Sequence, residues 1–195
     1  MAVGGLAVFP ADTVYGLACE PDSKEAIQRL YALKGRPPDK PAAVMFFSLD
    51  LALAALPELG ERTAAVLEAL LPGGVTLLLP NPARRFPLAC GAGGGDPTTL
   101  GLRVPSLPPA AYALHSVRWP VLQSSANRSG APDARTVEDV PEGIREGVDL
   151  VLDAGELPGT PSTVVDLRDY EATARWSIVR QGAVDEAHVR EAIEG

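Results

Sequence analysis

Apolar runs of strand length and a few amphipathic stripes divide the chain. Leu6 to Phe9 is a continuous apolar run closed by Pro10, and Ala42 to Phe47 is another. Between Asp22 and Lys34, the side chains of Ile27, Leu30, Tyr31 and Leu33 share one helical stripe. Asp22 and Glu25 have capping-box spacing, and Gly35, Pro37 and Pro38 stop the pattern, so a helix is predicted over 22–34. Arg62 to Leu71 predicts a second helix, ended by Pro72 and Gly73, and Val75 to Leu79 a strand that closes at Pro80. The stretch CGAGGGDPTT, Cys90 to Thr99, holds no regular pattern. Beyond it, strands are predicted at Leu100–Val104, Pro120–Gln123, Leu150–Asp153, Thr163–Leu167 and Trp176–Val179. Helices are predicted at Ala110–Val117, at Thr136–Glu146 with interruptions, and at Asp185–Glu194. Interleaved strands and helices predict an α/β layered domain over residues 1–195. Some strand pairs have no helix between them, which predicts a mixed sheet rather than a strictly parallel one.

Composition narrows the function classes. The chain has 195 residues, 46% apolar and 22% charged, the mixture of one globular domain. Cys19 and Cys90 stand too far apart for a zinc finger, a redox pair or a disulfide framework, and their scarcity suits a reducing cytoplasm. The longest uncharged run, Ala69 to Ala83, is broken by Pro72, Gly73, Gly74 and Pro80, so no membrane span is expected. No Lys or Arg precedes residue 12, so a signal-peptide n-region is not expected either. A net charge of −8 argues against a chain-wide grip on nucleic acid. The charge is uneven, however. Residues 61–135 carry 7 basic and 4 acidic groups, net +3, whereas residues 136–195 carry 5 and 14, net −9. An anionic ligand is therefore expected in the first 135 residues.

Several familiar chemistries are missing. There is no P-loop, no HExxH and no GxSxG, and His115 and His188 have no partner nearby in sequence. Gly91, Gly93, Gly94 and Gly95 look phosphate-friendly, but no Lys-Ser/Thr follows them, and a surface loop explains them better than a lid does. What remains is a set of small polar residues and cations at the ends of apolar runs. Lys34, Arg36 and Lys40 gather three cations in one proline-stiffened turn, a forked and a movable donor together, which suits a triphosphate. A solvated loop complementing the preceding helix C-terminus accounts for them equally well. Arg103 interrupts an apolar strand, and a charge there costs several kcal/mol unless paired, so it should face a cleft or a carboxylate. Ser124-Ser125-Ala126-Asn127 and Pro161-Ser162-Thr163 sit at strand boundaries, where ligand crevices of open α/β sheets lie.

Taken in order, FPADTVYGLACEPDSKEAIQRLYALKGRPPDKPAAV, PGGVTLLL, GLRVP, SSANRSGAP and STVVDL resemble the Sua5/YrdC/YciO family from Val8 to Gly182. The family's Lys-x-Arg and Ser-x-Asn signatures correspond to Lys34, Arg36, Ser125 and Asn127. The resemblance implies a twisted sheet with a concave face and L-threonylcarbamoyladenylate synthase activity on ATP, L-threonine and bicarbonate. It implies Mg2+ arriving with ATP, transfer proteins that use the adenylate downstream in tRNA modification, a weak contact with tRNA, and no membrane. It also implies catalytic roles for Lys34, Arg36, Ser125 and Asn127. ATP would meet Arg36, Lys40, Thr99, Ser125, Asn127 and Arg180, and L-threonine would meet Thr13, Arg103 and Ser162. Ala11 stands where the family pattern has Thr, and Gln181 where it has Pro. The leader is short for the family, and the second domain of longer Sua5 proteins is not expected. Two alternatives stand beside this reading: a YciO-type paralogue with another substrate, and a non-catalytic double-stranded RNA-binding module.

Overall fold

In the computed structural model, which describes residues 4–91 and 95–195, nine strands form one mixed sheet. The strands are β1 (Ala7–Pro10), β2 (Tyr15–Cys19), β3 (Ala43–Met45), β4 (Val75–Pro80), β5 (Thr99–Arg103), β6 (Val121–Ser125), β7 (Leu150–Val151), β8 (Thr163–Asp166) and β9 (Ser177–Arg180). Their spatial order is β7-β1-β2-β6-β3-β5-β4-β8-β9. Neighbours in this order run antiparallel except β1–β7, β3–β5 and β4–β8, so the sheet is mixed as expected.

The helices are α1 (Lys24–Lys34), α2 (Leu49–Ala55), α3 (Glu61–Leu70), α4 (Pro87–Gly91), α5 (Glu142–Arg145), α6 (Tyr170–Thr173) and α7 (Glu186–Glu194), with a 3-10 helix over Pro109–Ser116. The cap of α1 is Ser23, not Asp22: the Ser23 hydroxyl accepts from the Ala26 amide. Its other end closes on Gly35 at φ 57°, a left-handed turn that glycine takes without a side-chain clash. That turn sends the chain back toward the sheet instead of continuing the helix. The predicted helix over 136–146 shrinks to α5 because Pro141 blocks its middle.

Side-chain alternation gives each central strand two faces. Val75, Leu77 and Leu79 of β4 and Leu100 and Leu102 of β5 join the main core with Leu30 of α1 and Leu67 of α3. A smaller core on the opposite face gathers Phe9, Ala18, Met45, Phe47 and Val121 at the β1–β2 end. The rest of that opposite face, from β6 to β9, is the open floor of a cleft.

Candidate active site

The cleft encloses about 900 Å³. Register orders its floor into rows. Gln123 of β6 faces Ala43 of β3, and Leu78 of β4 faces Gly101 of β5. A Cβ built on Gly101 would lie 3.5 Å from the Ala43 Cα, so these four positions form one continuous middle row. Two residues along the strands in one direction, Met45 faces Arg103, and Val164 faces both Thr76 and Arg180. Two residues in the other direction lie Ser125 and Thr99. Each step is about 7 Å. The cleft thus has an Arg103 rim and a Ser125–Thr99 rim, separated by a row of mostly small or apolar residues.

On the first rim, Arg103 is 3% exposed. Its Nη2 donates to Asp12 Oδ1 at 2.5 Å and to Thr13 Oγ1 at 2.7 Å, which uses both Nη2 protons. Asp12 Oδ2 in turn accepts from the Ser106 amide, tying the β1–β2 loop to the exit of β5. Burial pushes the Arg103 pKa down, and the Asp12 carboxylate opposes that shift. Nε is buried without a hydrogen-bond partner, the sole side-chain atom of this kind among the described residues. An arginine so placed presents an unused donor, which is how a ligand carboxylate is received. Thr13 is 2% exposed and supports Arg103 from behind instead of lining the cleft. Ser162 does line it. Its hydroxyl pairs with Thr76 Oγ1 at 2.8 Å, and Arg180 Nη2 donates to the Ser162 carbonyl at 2.7 Å. Arg180, expected with the nucleotide, therefore stands on the Arg103 rim beside Ser162.

On the second rim, Lys34 ends α1, as the helix predicted over 22–34 has it, but it is buried rather than free in the turn. It is 1% exposed. Its Nζ donates to the Ser125 and Asn127 carbonyls and to Asn127 Oδ1. Those three bonds use every ammonium proton. Burial first, with Arg36 and Lys40 adding repulsion, pushes its pKa down to about 8. Ser125 Oγ also donates to Asn127 Oδ1 at 2.6 Å, and Asn127 Nδ2 donates to the Ala131 carbonyl. Lys34, Ser125 and Asn127 therefore form one knot that shapes the turn after β6. Arg36 is half-buried, stacked over the Tyr31 ring, with Nη1 within 3.4 Å of Ser124 Oγ. Lys40 is exposed at the mouth, and Thr99 donates to Asp96 Oδ2 at 2.8 Å. Every proposed site residue except Thr13 lines this one cleft.

Gly93 and Gly94 lie outside the described residues, whereas Gly95 lines the cleft mouth. Gln123, Thr76, Asp133 and Arg168 also line the cleft and Asp12 braces Arg103, although the sequence assigned none of them to the site. Thr76 carried a readable signal, being the one polar side chain of an otherwise apolar strand; Gln123 did not, because β6 runs on into Ser124 and Ser125. Among the described residues, no three His, Cys, Asp or Glu side chains gather as a metal-ion cluster, and no helix is long and apolar enough to cross a membrane.

The Sua5–YciO–YrdC family model, described as "Telomere recombination", matches residues 1–182. Threonylcarbamoyl-AMP synthase of Chromohalobacter salexigens is 34% identical over 172 residues, covering 88% of this chain and 91% of that protein. The enzyme of the same name from Pyrococcus abyssi is 31% identical, but this chain spans only 48% of its length. Among solved structures, P. abyssi Sua5 complexed with L-threonine superposes with a TM-score of 0.81 at 28% identity, over 97% of this chain and 54% of that one. E. coli YciO superposes with a TM-score of 0.75 at 27% identity, over 95% of this chain and 87% of that one.

Proposed function

The chain belongs to the Sua5–YciO–YrdC family, and from that premise we propose that it is an L-threonylcarbamoyladenylate synthase. The observation that carries this reading is the two-rimmed cleft. One rim offers a buried, ligand-ready arginine, and the other offers hydroxyls and cations about 13 Å away along β5. That spacing suits an amino-acid carboxylate at one end and a polyphosphate at the other, with the reacting atoms between. Thr76, Ser162 and Arg103 would hold L-threonine; Arg36, Lys40, Thr99 and Ser125 would hold ATP. Lys34 and Asn127 act through Ser125, by fixing the turn that carries it.

The substrates bring their own nucleophile. The threonine amine nitrogen bonds to the bicarbonate carbon and water leaves, taking the bicarbonate hydroxyl and an amine proton. A carbamate oxygen then bonds to the α-phosphorus of ATP. The bond from that phosphorus to the bridging oxygen breaks, and pyrophosphate departs with the electron pair. No serine, cysteine or histidine nucleophile is required. The protein supplies position and charge neutralisation. Mg2+ would enter on the ATP phosphates as part of that substrate, and the neighbouring oxygen donors Asp96 and Thr99 fit a hard cation. The adenylate would pass to threonylcarbamoyl-transfer proteins acting on tRNA in the cytoplasm, with at most a weak tRNA contact here. The test is pyrophosphate release from ATP with each co-substrate omitted in turn. Release that needs both L-threonine and bicarbonate supports the synthase; equal release without threonine points instead to a YciO-type paralogue with another substrate.

A further inference from the structure

Gln123 stands in the middle row of the cleft, with the Arg103 rim on one side and the Ser125–Thr99 rim on the other. It is only 5% exposed as a residue, and no protein group among the described residues pairs with its amide, whose atoms reach the cleft instead of being sealed in protein. The other buried polar residues of this region are all engaged: Thr13 with Arg103, Ser162 with Thr76, and Lys34 with Asn127. An unpaired carboxamide that opens into a cleft keeps both its donor and its acceptor free for a ligand there. Its neighbours also keep it clear. A Cβ on Gly16 would come within 2.9 Å of Gln123 Nε2, so glycine at that position makes room for the amide. Ala43 and Gly101 leave open floor beside it, where larger side chains would fill the row.

We propose that the Gln123 carboxamide binds the carboxylated amine, the carbamate formed from bicarbonate, at the centre of the cleft. This rests on the synthase reading. With the amino-acid carboxylate at Arg103 and the polyphosphate at the opposite rim, the new carbamate must lie over the middle row. A carbamate carries an N–H donor beside an oxygen acceptor. A carboxamide carries the complementary pair: Nε2 donates to a carbamate oxygen while Oε1 accepts from the carbamate N–H. Two such bonds orient the second carbamate oxygen toward the α-phosphorus. They also favour the bound carbamate over free threonine, whose ammonium has no matching acceptor group on an adjacent atom.

The test uses the full chain and two variants. Gln123→Met keeps the volume and removes both polar ends. Gln123→Glu is isosteric, keeps an acceptor, and sets a negative charge against the carbamate. In each, kcat/KM for bicarbonate should fall roughly ten- to hundredfold, the loss of one or two hydrogen bonds. ATP and L-threonine, titrated singly by calorimetry, should bind within about twofold of the parent. Unchanged kcat/KM for bicarbonate in a folded variant overturns the proposal, and so does a loss of ATP or threonine affinity as large as the bicarbonate effect. If Gln123→Met fails to fold, Gln123→Glu decides alone by the same criteria. A parent protein without bicarbonate-dependent pyrophosphate release would overturn the synthase reading itself, a separate and distinguishable result.

Discussion

Replacing Arg103 by lysine separates the two ends of the cleft. Nη2 is committed to Asp12 and Thr13, so a ligand carboxylate is left Nη1 or the orphan Nε, which lie on different edges of the guanidinium. Lysine keeps the charge and can still pair with Asp12, but it has one nitrogen where arginine has three. Satisfying Asp12 leaves it poorly placed to reach the cleft as well. A hydrogen bond to a charged group contributes about 1.5–3 kcal/mol, and about 1.4 kcal/mol is a decade in affinity. L-Threonine should therefore bind roughly ten- to hundredfold more weakly to Arg103→Lys. Folding stability should stay within about 1 kcal/mol of the parent, since the lost Thr13 contact is offset by removal of a buried, unpaired donor. ATP titrated without threonine should bind as before, because Thr99 and Ser125 lie on the far rim. The assay is calorimetric titration of each ligand on parent and variant, with urea denaturation alongside. An ATP affinity that falls as far as the threonine affinity would refute the two-rimmed assignment, and a stability loss of several kcal/mol would make Arg103 a core residue instead.

Lys34→Met and Arg36→Ala should part company, although both remove a cation from the same short segment. The first leaves three acceptors without a donor and should cost on the order of 2–3 kcal/mol of stability along with activity; the second should cost activity with a stability change within about 0.5 kcal/mol, both read by urea midpoints. Lys34 also makes stability depend on pH. Its folded pKa of about 8 lies below the ordinary 10.5. Between those values the unfolded chain holds a proton that the folded chain has released, so stability should climb with pH there, by at most about 1.4 kcal/mol per pH unit. That climb should vanish in Lys34→Met, and parallel pH curves for the two proteins would exclude the buried ammonium as its source. Gly16→Ala would press a methyl group within 2.9 Å of Phe9 and Gln123, so a loss of about 1–3 kcal/mol is expected by thermal melting, and an unchanged melting temperature would show that both side chains yield freely.

The legible parts of this molecule are those that short-range pattern dictates. Helix α1, helix α3 and strand β4 end where Gly35, Leu71-Pro72 and Pro80 stop them. Strand β2 escaped notice because Gly16 and Ala18 are poor strand formers; it exists because β1 and β6 pair with it from either side. Helix α2 escaped because its Leu and Ala residues make no clear stripe, and its signal was the Ser48 cap. Lys34, Ser125 and Asn127 stood out in the sequence as candidates, but their contact with one another did not. The bond that joins Lys34 to Ser125 spans 91 positions of sequence, so no local reading could tell a phosphate-facing cation from a buried one that braces a turn. Gln123 was invisible for a related reason: its meaning comes from an absence of partners, which only the packed sheet reveals.

Odd and even positions along β4 and β5 belong to different tasks. Val75, Leu77 and Leu79 alternate with Thr76 and Leu78, and Leu100 and Leu102 alternate with Thr99, Gly101 and Arg103. One set is paid for in folding free energy and the other in chemistry, and they never share a side of the backbone. Substrate preference can therefore drift by single substitutions at cleft positions while the hydrophobic layer stays untouched. An insertion or deletion of one residue within either strand is a different matter. It would turn core leucines toward the substrates and Arg103 into the hydrocarbon, so fold and catalysis would be lost in one event. Lineages carrying this sheet should thus vary in loop length freely and in strand length hardly at all.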